Sequence, residues 1–190
     1  MFSGKTEELL RRIKRAQIGR QRVQVFKPEI DNRYSVDHVQ SHDANRVASH
    51  PVKKAINILE LVEDTTRVVG IDEAQFFDEG IVDVAQKLAF RGMRVIVAGL
   101  DMDFRGQPFG SMPTLLALAE EVTKLSAICM VCGGTASRSQ RIAGAQQASS
   151  TPGGSGPSKG AVSASDEQIL VGAKDIYEAR CRFCHAPGSR

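Results

Sequence analysis

Three groups of residues in this sequence have types and spacings that chemistry can use. They are Gly4-Lys5-Thr6 near the start, Asp72-Glu73 at the end of an apolar run, and cysteine pairs at 129/132 and 181/184. The opening MFSGKT matches the last six positions of G-x-x-x-x-G-K-[ST], a turn between strand and helix whose backbone N–H groups hold phosphate oxygens. In that reading the amides around Ser3 and Gly4 face the phosphates, Lys5 reaches the β and γ phosphates, and the Thr6 hydroxyl ligates Mg²⁺. The competing reading is a helix whose first turn happens to spell Gly-Lys-Thr.

The run VVGIDE (68–73) bears on that choice. A phosphate-binding loop needs a carboxylate beside it to hold the metal shell, and an apolar strand ending in Asp supplies one. Asp72 is then the metal-side acid. Glu73, one residue on, points elsewhere and is free to act as a base. A capped loop or a surface salt bridge is the plainer account of two adjacent acids.

CMVC (129–132) and CRFC (181–184) each place two thiolates on one tight turn, and two such turns complete a tetrahedral Zn²⁺ site. With four protein ligands, Cys129, Cys132, Cys181 and Cys184, no position is open and the role is structural. Free thiols are the alternative, and disulfides suit a cytoplasmic protein less well. His185, next to a ligand, reads as a bystander.

These groups need elements to position them. Leu9, Leu10, Ile13 and Ile18 recur at near-helical spacing among charges, so 6–20 reads as an amphipathic helix, with Glu7 and Glu8 able to pair with Arg11, Arg12, Lys14 and Arg15. VQVF (23–26), RVVGIDE (67–73) and RVIVAGLD (94–101) read as strands. Ile81, Val84, Ala85 and Leu88 mark a helix, and PTLLALAEEV (113–122) another. Buried-type strands alternating with helices predict an α/β fold: a P-loop NTPase core with a parallel sheet flanked by helices. Ligands of such sheets sit beyond the carboxyl ends of the strands, where Asp72, Glu73 and Asp101 fall.

Hydrophobic residues at 42% and charged residues at 25% exclude a disordered chain. A net charge of +3 without a basic face argues against nucleic acid as the main partner. With no apolar run of about 18 residues, a membrane is not expected either. The expected location is the cytoplasm. Residues 143–165 hold 18 Gly, Ala, Ser or Pro among 23 and no acid, so a mobile loop is expected between the cysteine pairs. Two domains follow: a nucleotide-binding core over 1–126 and a zinc-binding domain over 127–190.

MFSGKTEELLRR, IDEAQFF, LDMDFRGQPFG, CMVC and VGAKDIYEARCRFCH, in this order, closely resemble the zinc-containing, tetrameric type of thymidine kinase over nearly the whole chain except 143–168. That resemblance implies ATP-dependent phosphorylation of thymidine, and possible use of deoxyuridine, by a homotetramer. It implies Glu73 as the general base for the nucleoside 5′-hydroxyl and Asp72 as support for Mg²⁺. Met1, Phe2, Ser3, Gly4, Lys5, Thr6 and Gln75 fall among cofactor-binding positions, and Asp31 and Arg33 match positions that organise metal and phosphates. Met1, Phe76, Leu100, Phe104 and Phe109 match the wall of the nucleoside pocket. Leu170, Gly172 and Tyr177 match the end of a lasso loop that closes over the base, which the zinc site would anchor. From the residues alone, the three phenylalanines read as core.

The chain departs from the family in two places. The first strand and the first two residues of the phosphate loop are absent, so about ten further residues are expected to precede Met1, forming a strand that ends in Gly-x. The lasso region carries SSTPGGSGPSKG where the family has a shorter segment. Readings of another class are a zinc-ribbon P-loop protein acting on DNA, or an inactive or impaired kinase fragment. The first should show further ATPase motifs and an arginine finger, and neither is found in the 190 residues.

Overall fold

A computed structural model describes residues 2–29, 38–40, 46–142 and 177–186. Met1, Asp31, Arg33, Leu170, Gly172 and the expected loop over 143–165 lie outside these. In chain order the elements are α1 (Lys5–Ile18), β1 (Val23–Pro28), β2 (His38–Gln40), β3 (Arg46–Ala48), β4 (His50–Val52), α2 (Asn57–Leu61), β5 (Val68–Ile71), α3 (Ile81–Phe90), β6 (Arg94–Val97), α4 (Met112–Leu118), β7 (Ala127–Ile128), β8 (Thr135–Ala136), β9 (Arg138–Arg141) and β10 (Tyr177–Arg180). A 3₁₀ turn, Ala74–Phe76, follows β5.

Strands β4, β1, β5 and β6 form a parallel four-stranded sheet in that order. Val23 pairs with Val68 and Phe26 with Ile71; Val68 pairs in turn with Arg94, and Ile71 with Val97. Period-two alternation sends neighbouring side chains to opposite faces. Val25 and Val68 join Leu9, Leu10, Ile13 and Ala16 of α1 on one face. Phe26, Val69 and Ile71 join Ile58, Ile81, Val84, Leu88 and Leu115 on the other. Each such aliphatic side chain, once buried, contributes about 1.5–3 kcal/mol, and both faces of the sheet are covered by helices.

Helix α1 is built by its ends and its stripe. Gly4 enters it with φ 75°, Glu7 and Glu8 occupy its first turn and Arg15 its last, and the N–H of Gly19 closes it on the Arg15 carbonyl. Glu8 accepts hydrogen bonds from Arg11 at 2.6 Å and Arg12 at 2.8 Å, and these guanidinium donors hold its carboxyl at about 2. Ile18 does not belong to the buried stripe and is 83% exposed. Nine residues beyond Leu9 is about two and a half turns, which puts it on the opposite side of the helix.

Helix α4 ends at Leu118, short of the expected 122, and Ala119 turns to extended backbone. Glu120 and Glu121 explain the stop, since acids in a last turn face the negative end of the helix dipole. Glu121 instead reaches Arg12 at 3.7 Å, and Lys124 reaches Asp101 at 3.2 Å. The four described strands are contiguous in the sheet. Beyond β6, which pairs with no further described strand on its outer side, lies a groove of about 850 Å³ lined by Ser3, Lys5, Leu100 and Asp101 among others. No described helix is long and apolar enough to cross a membrane.

Gly70, in the middle of β5, sets how closely α1 approaches the sheet. A Cβ there would lie 3.1 Å from Ile13 Cδ1 and 3.4 Å from Val25 Cγ2. Gly70→Val is therefore expected to destabilise the fold by about 1–3 kcal/mol through overpacking, read as a lower midpoint in chemical denaturation. Adding Ile13→Val, which removes the crowding methyl, should recover part of the loss; an unchanged midpoint in the single variant would show that α1 does not rest on β5 there.

Candidate functional site

The carboxyl end of β5 separates its two acids. Asp72 is buried, at 5% exposure, and its backbone N–H bonds the Phe26 carbonyl of β1 at 2.9 Å. One of its oxygens, Oδ1, accepts the Glu73 N–H at 2.9 Å, and the other, Oδ2, lies 3.4 Å from the Thr6 hydroxyl at the start of α1. Glu73 has φ 49° and ψ 44°, a left-handed conformation for a residue with a side chain. Such a backbone costs on the order of 1–3 kcal/mol and persists where surrounding structure holds it. Here the turn sends the Glu73 carboxylate away from Asp72 and toward Gln75.

Gln75 is the hinge of the arrangement. It is 3% exposed; its Nε2 donates to Glu73 Oε2 at 2.5 Å, and its Oε1 accepts the Leu100 N–H at 2.9 Å. One side chain thus joins the end of β5 to the segment after β6. Glycines make room for it. A Cβ on Gly99 would sit 2.9 Å from Gln75 Oε1, and one on Gly110, where φ is 50°, would sit 2.7 Å from the Gln75 carbonyl oxygen.

The loop 101–110 is stapled by Asp103, whose Oδ1 accepts the N–H groups of Arg105 and Gln107, both at 2.9 Å. Its far end is tied by Phe109 N–H to the Asp101 carbonyl at 3.1 Å. Phe109 meets Phe76 edge to face, with centroids 5.7 Å apart. Phe104 is not core: its ring is half-buried, and the guanidinium groups of Arg105 and Arg141 lie 5.6 and 5.5 Å from its centroid. Tyr177 opens β10 opposite Arg141 and is buried.

Cys129 and Cys132 sit on the turn of the β7–β8 hairpin, which Gly133 closes with φ 71°. Cys181 and Cys184 follow β10, antiparallel to β9, and the Met130 N–H bonds the Ala179 carbonyl at 3.0 Å to join the two halves. The four sulfurs lie within 4.8 Å of one another, and Cys132 and Cys181 are 3.8 Å apart. Zn–S bonds of about 2.3 Å in a tetrahedron require sulfurs about 3.8 Å apart, so the donor set fits zinc. Burial raises the Cys129 thiol, but hydrogen bonds from the backbone at Cys132, Cys181 and Val131 outweigh it and hold the group at about 6. A hydrogen bond with Cys181, with burial, pushes Cys184 up to about 12. A cation is what lets all four be thiolates together.

The structure brings Thr6 to Asp72, Phe76 to Phe109 and the four cysteines to one another, and it pairs Glu73 with Gln75, a contact the sequence reading did not contain. Sequence reasoning missed His185 as more than a bystander: its Nε2 lies 2.8 Å from the Phe104 carbonyl oxygen. It also missed Asp103 and Gln140, whose bonds become visible only when distant segments meet.

The chain is expected to carry about one zinc when purified, and Cys132→Ser or Cys184→Ser to lose it, as measured by elemental analysis. Because every ligand must be a thiolate, protons compete with the metal at all four sulfurs, and zinc should be released progressively as pH is lowered from neutral. Wild-type protein without zinc would return the cysteines to free thiols.

A family comparison bears on what this geometry belongs to. The family model for Thymidine kinase matches residues 1–185, a span that includes the Thr6–Asp72 pair, the Glu73–Gln75 junction and all four cysteines. The chain belongs to the thymidine kinase family, kinases that phosphorylate thymidine, and its four-cysteine cluster fits the zinc-containing type.

Proposed function

We propose that the chain transfers the γ-phosphoryl group of ATP to the 5′-hydroxyl of thymidine, making thymidine monophosphate for deoxynucleotide salvage, with Glu73 as the general base. The observation that carries this reading is the split of the two carboxylates after β5, Asp72 toward Thr6 and Glu73 toward Gln75. Two adjacent acids can then serve opposite ends of one reaction.

On the phosphate side, Lys5 and backbone amides at the start of α1 would bind phosphate oxygens. Thr6 and Asp72 would hold Mg²⁺, which when bound neutralises charge on the transferring group. Asp31 and Arg33 are proposed for the same side. On the acceptor side, the Glu73 carboxylate takes the proton of the 5′-hydroxyl as the oxygen–phosphorus bond forms and the bond to the ADP oxygen breaks. The Gln75 amide keeps that carboxylate aimed. Phe76, Leu100, Phe104 and Phe109 would wall the nucleoside, with Leu170, Gly172 and Tyr177 closing over the base. Phosphoryl transfer depends on positioning and charge neutralisation more than on covalent chemistry, and this allocation uses each residue for one or the other. A homotetramer in the cytoplasm, with a core over 1–126 and a zinc-bearing lasso domain over 127–190, completes the proposal.

Glu73→Gln keeps the shape and reach of the side chain while removing its basicity. Its kcat should fall by about a hundredfold or more, with thymidine affinity by calorimetry little changed. Near-normal turnover in that variant would remove Glu73 from the base role.

A further inference from the structure

The turn that presents two of the cysteines also presents His185. Its backbone N–H bonds the Cys181 carbonyl at 3.0 Å, and the Cys184 N–H lies 3.4 Å from Cys181 Sγ. The imidazole then reaches out of the knuckle to Phe104, with Nε2 2.8 Å from the carbonyl oxygen. A carbonyl can only accept, so Nε2 carries the hydrogen and donates. Two further contacts fix the knuckle against its surroundings. Gln140 on β9 accepts the Ala186 N–H at 2.9 Å and donates to the Ala186 carbonyl at 3.2 Å. Gly106 lies against the same surface, since a Cβ there would collide with Arg138 Nη1 and meet His185 Cε1 at 3.6 Å.

We infer that His185 is a positioning residue through which the cysteine module sets the loop 101–110, and hence the affinity for thymidine. The path is physical at every step. The Cys181–Cys184 turn orients His185, His185 holds the Phe104 carbonyl, and the Asp103 staple makes 103–107 move as one piece. Phe109 at the other end packs on Phe76, and Gly110 packs on Gln75, the partner of Glu73. The inference rests on the proposed reading of Phe104 and Phe109 as nucleoside wall. It gives the module a second task beside anchoring a lasso.

The test uses the full chain with zinc bound. In His185→Ala, backbone amide exchange over 103–107 should rise, the Kd and KM for thymidine should rise about three- to tenfold as for one lost hydrogen bond, and kcat and zinc content should hold. His185→Gln, whose amide nitrogen replaces Nε2, should recover most of the affinity, whereas His185→Asn is too short to do so. Loss of zinc in His185→Ala would make the residue a ligand, and unchanged exchange would mean the bond does not order the loop; either overturns the inference. Phe104→Ala, which keeps the carbonyl but removes the ring, separates the two readings. If it weakens thymidine binding and His185→Ala does not, the inference fails and the wall stands. If neither weakens binding, both fail.

Discussion

The left-handed backbone at Glu73 is the constraint on which the rest of the site depends. A continued strand would alternate Asp72 and Glu73 across the sheet and bury one of them in an apolar layer. A right-handed turn would aim both at the same solvent. With φ at 49° the chain instead breaks out of β5 at once, leaving Asp72 in the sheet end and handing Glu73 to the 3₁₀ turn that carries Gln75. The strain is offset by bonds on both sides of it. Asp72 Oδ1 accepts the N–H of the strained residue, and the Ala74 N–H bonds the Ala98 carbonyl at 3.0 Å.

Close approach of backbones is the second recurring device, and it is what glycine supplies. Gly70 lets Ile13 drop onto β5, which brings the start of α1 and Thr6 within reach of Asp72. Gly99 and Gly110 clear space around Gln75, so that one buried amide can serve the Glu73 carboxylate and the Leu100 backbone together. Packing and chemistry are therefore not separate layers. The same missing side chains that tighten the core determine where the acids point.

Much of this was legible in the sequence because period decides it. The neighbours Val25 and Phe26, or Val68 and Val69, report two covered faces, and the spacing of Leu9, Leu10 and Ile13 reports one stripe, which Ala16 extends in the structure. Legibility failed where a residue's role comes from something distant along the chain. Ile18 fits a rough helical spacing yet falls opposite the stripe, because nine residues beyond Leu9 is about two and a half turns and not a whole number of them. α4 stopped early because two acids oppose the dipole, a local signal available in the sequence and overridden by its apolar run. His185 resembled a bystander because its partner, the Phe104 carbonyl, is a backbone atom 81 residues away with no side-chain signature. The bridging role of Gln75 carried no pattern of its own, since a single amide joining one carboxylate to one backbone N–H looks like any polar residue.

The cysteine module follows a different logic, in which separation along the chain costs little. Cys132 and Cys181 stand 49 positions apart, yet their sulfurs lie 3.8 Å from each other. Closing a flexible loop scales with the logarithm of its length, so doubling it adds only about 0.6 kcal/mol. Zinc–thiolate binding, at roughly 10–16 kcal/mol in small zinc domains near neutral pH, exceeds that increment many times over. A Gly/Ser/Pro-rich sequence such as SSTPGGSGPSKG can therefore lengthen the connection without dissolving the site, provided the local turns survive. They do survive here: the Gly133 turn, the Met130–Ala179 bond and the Cys181–His185 turn all lie within the sequence flanking the insertion rather than in it. The contact that joins the module to the core, His185 with Phe104, also belongs to those flanks. Variation in the connection is thus insulated from the geometry of the site, because the residues that define that geometry are held by bonds on the cysteine side of the connection.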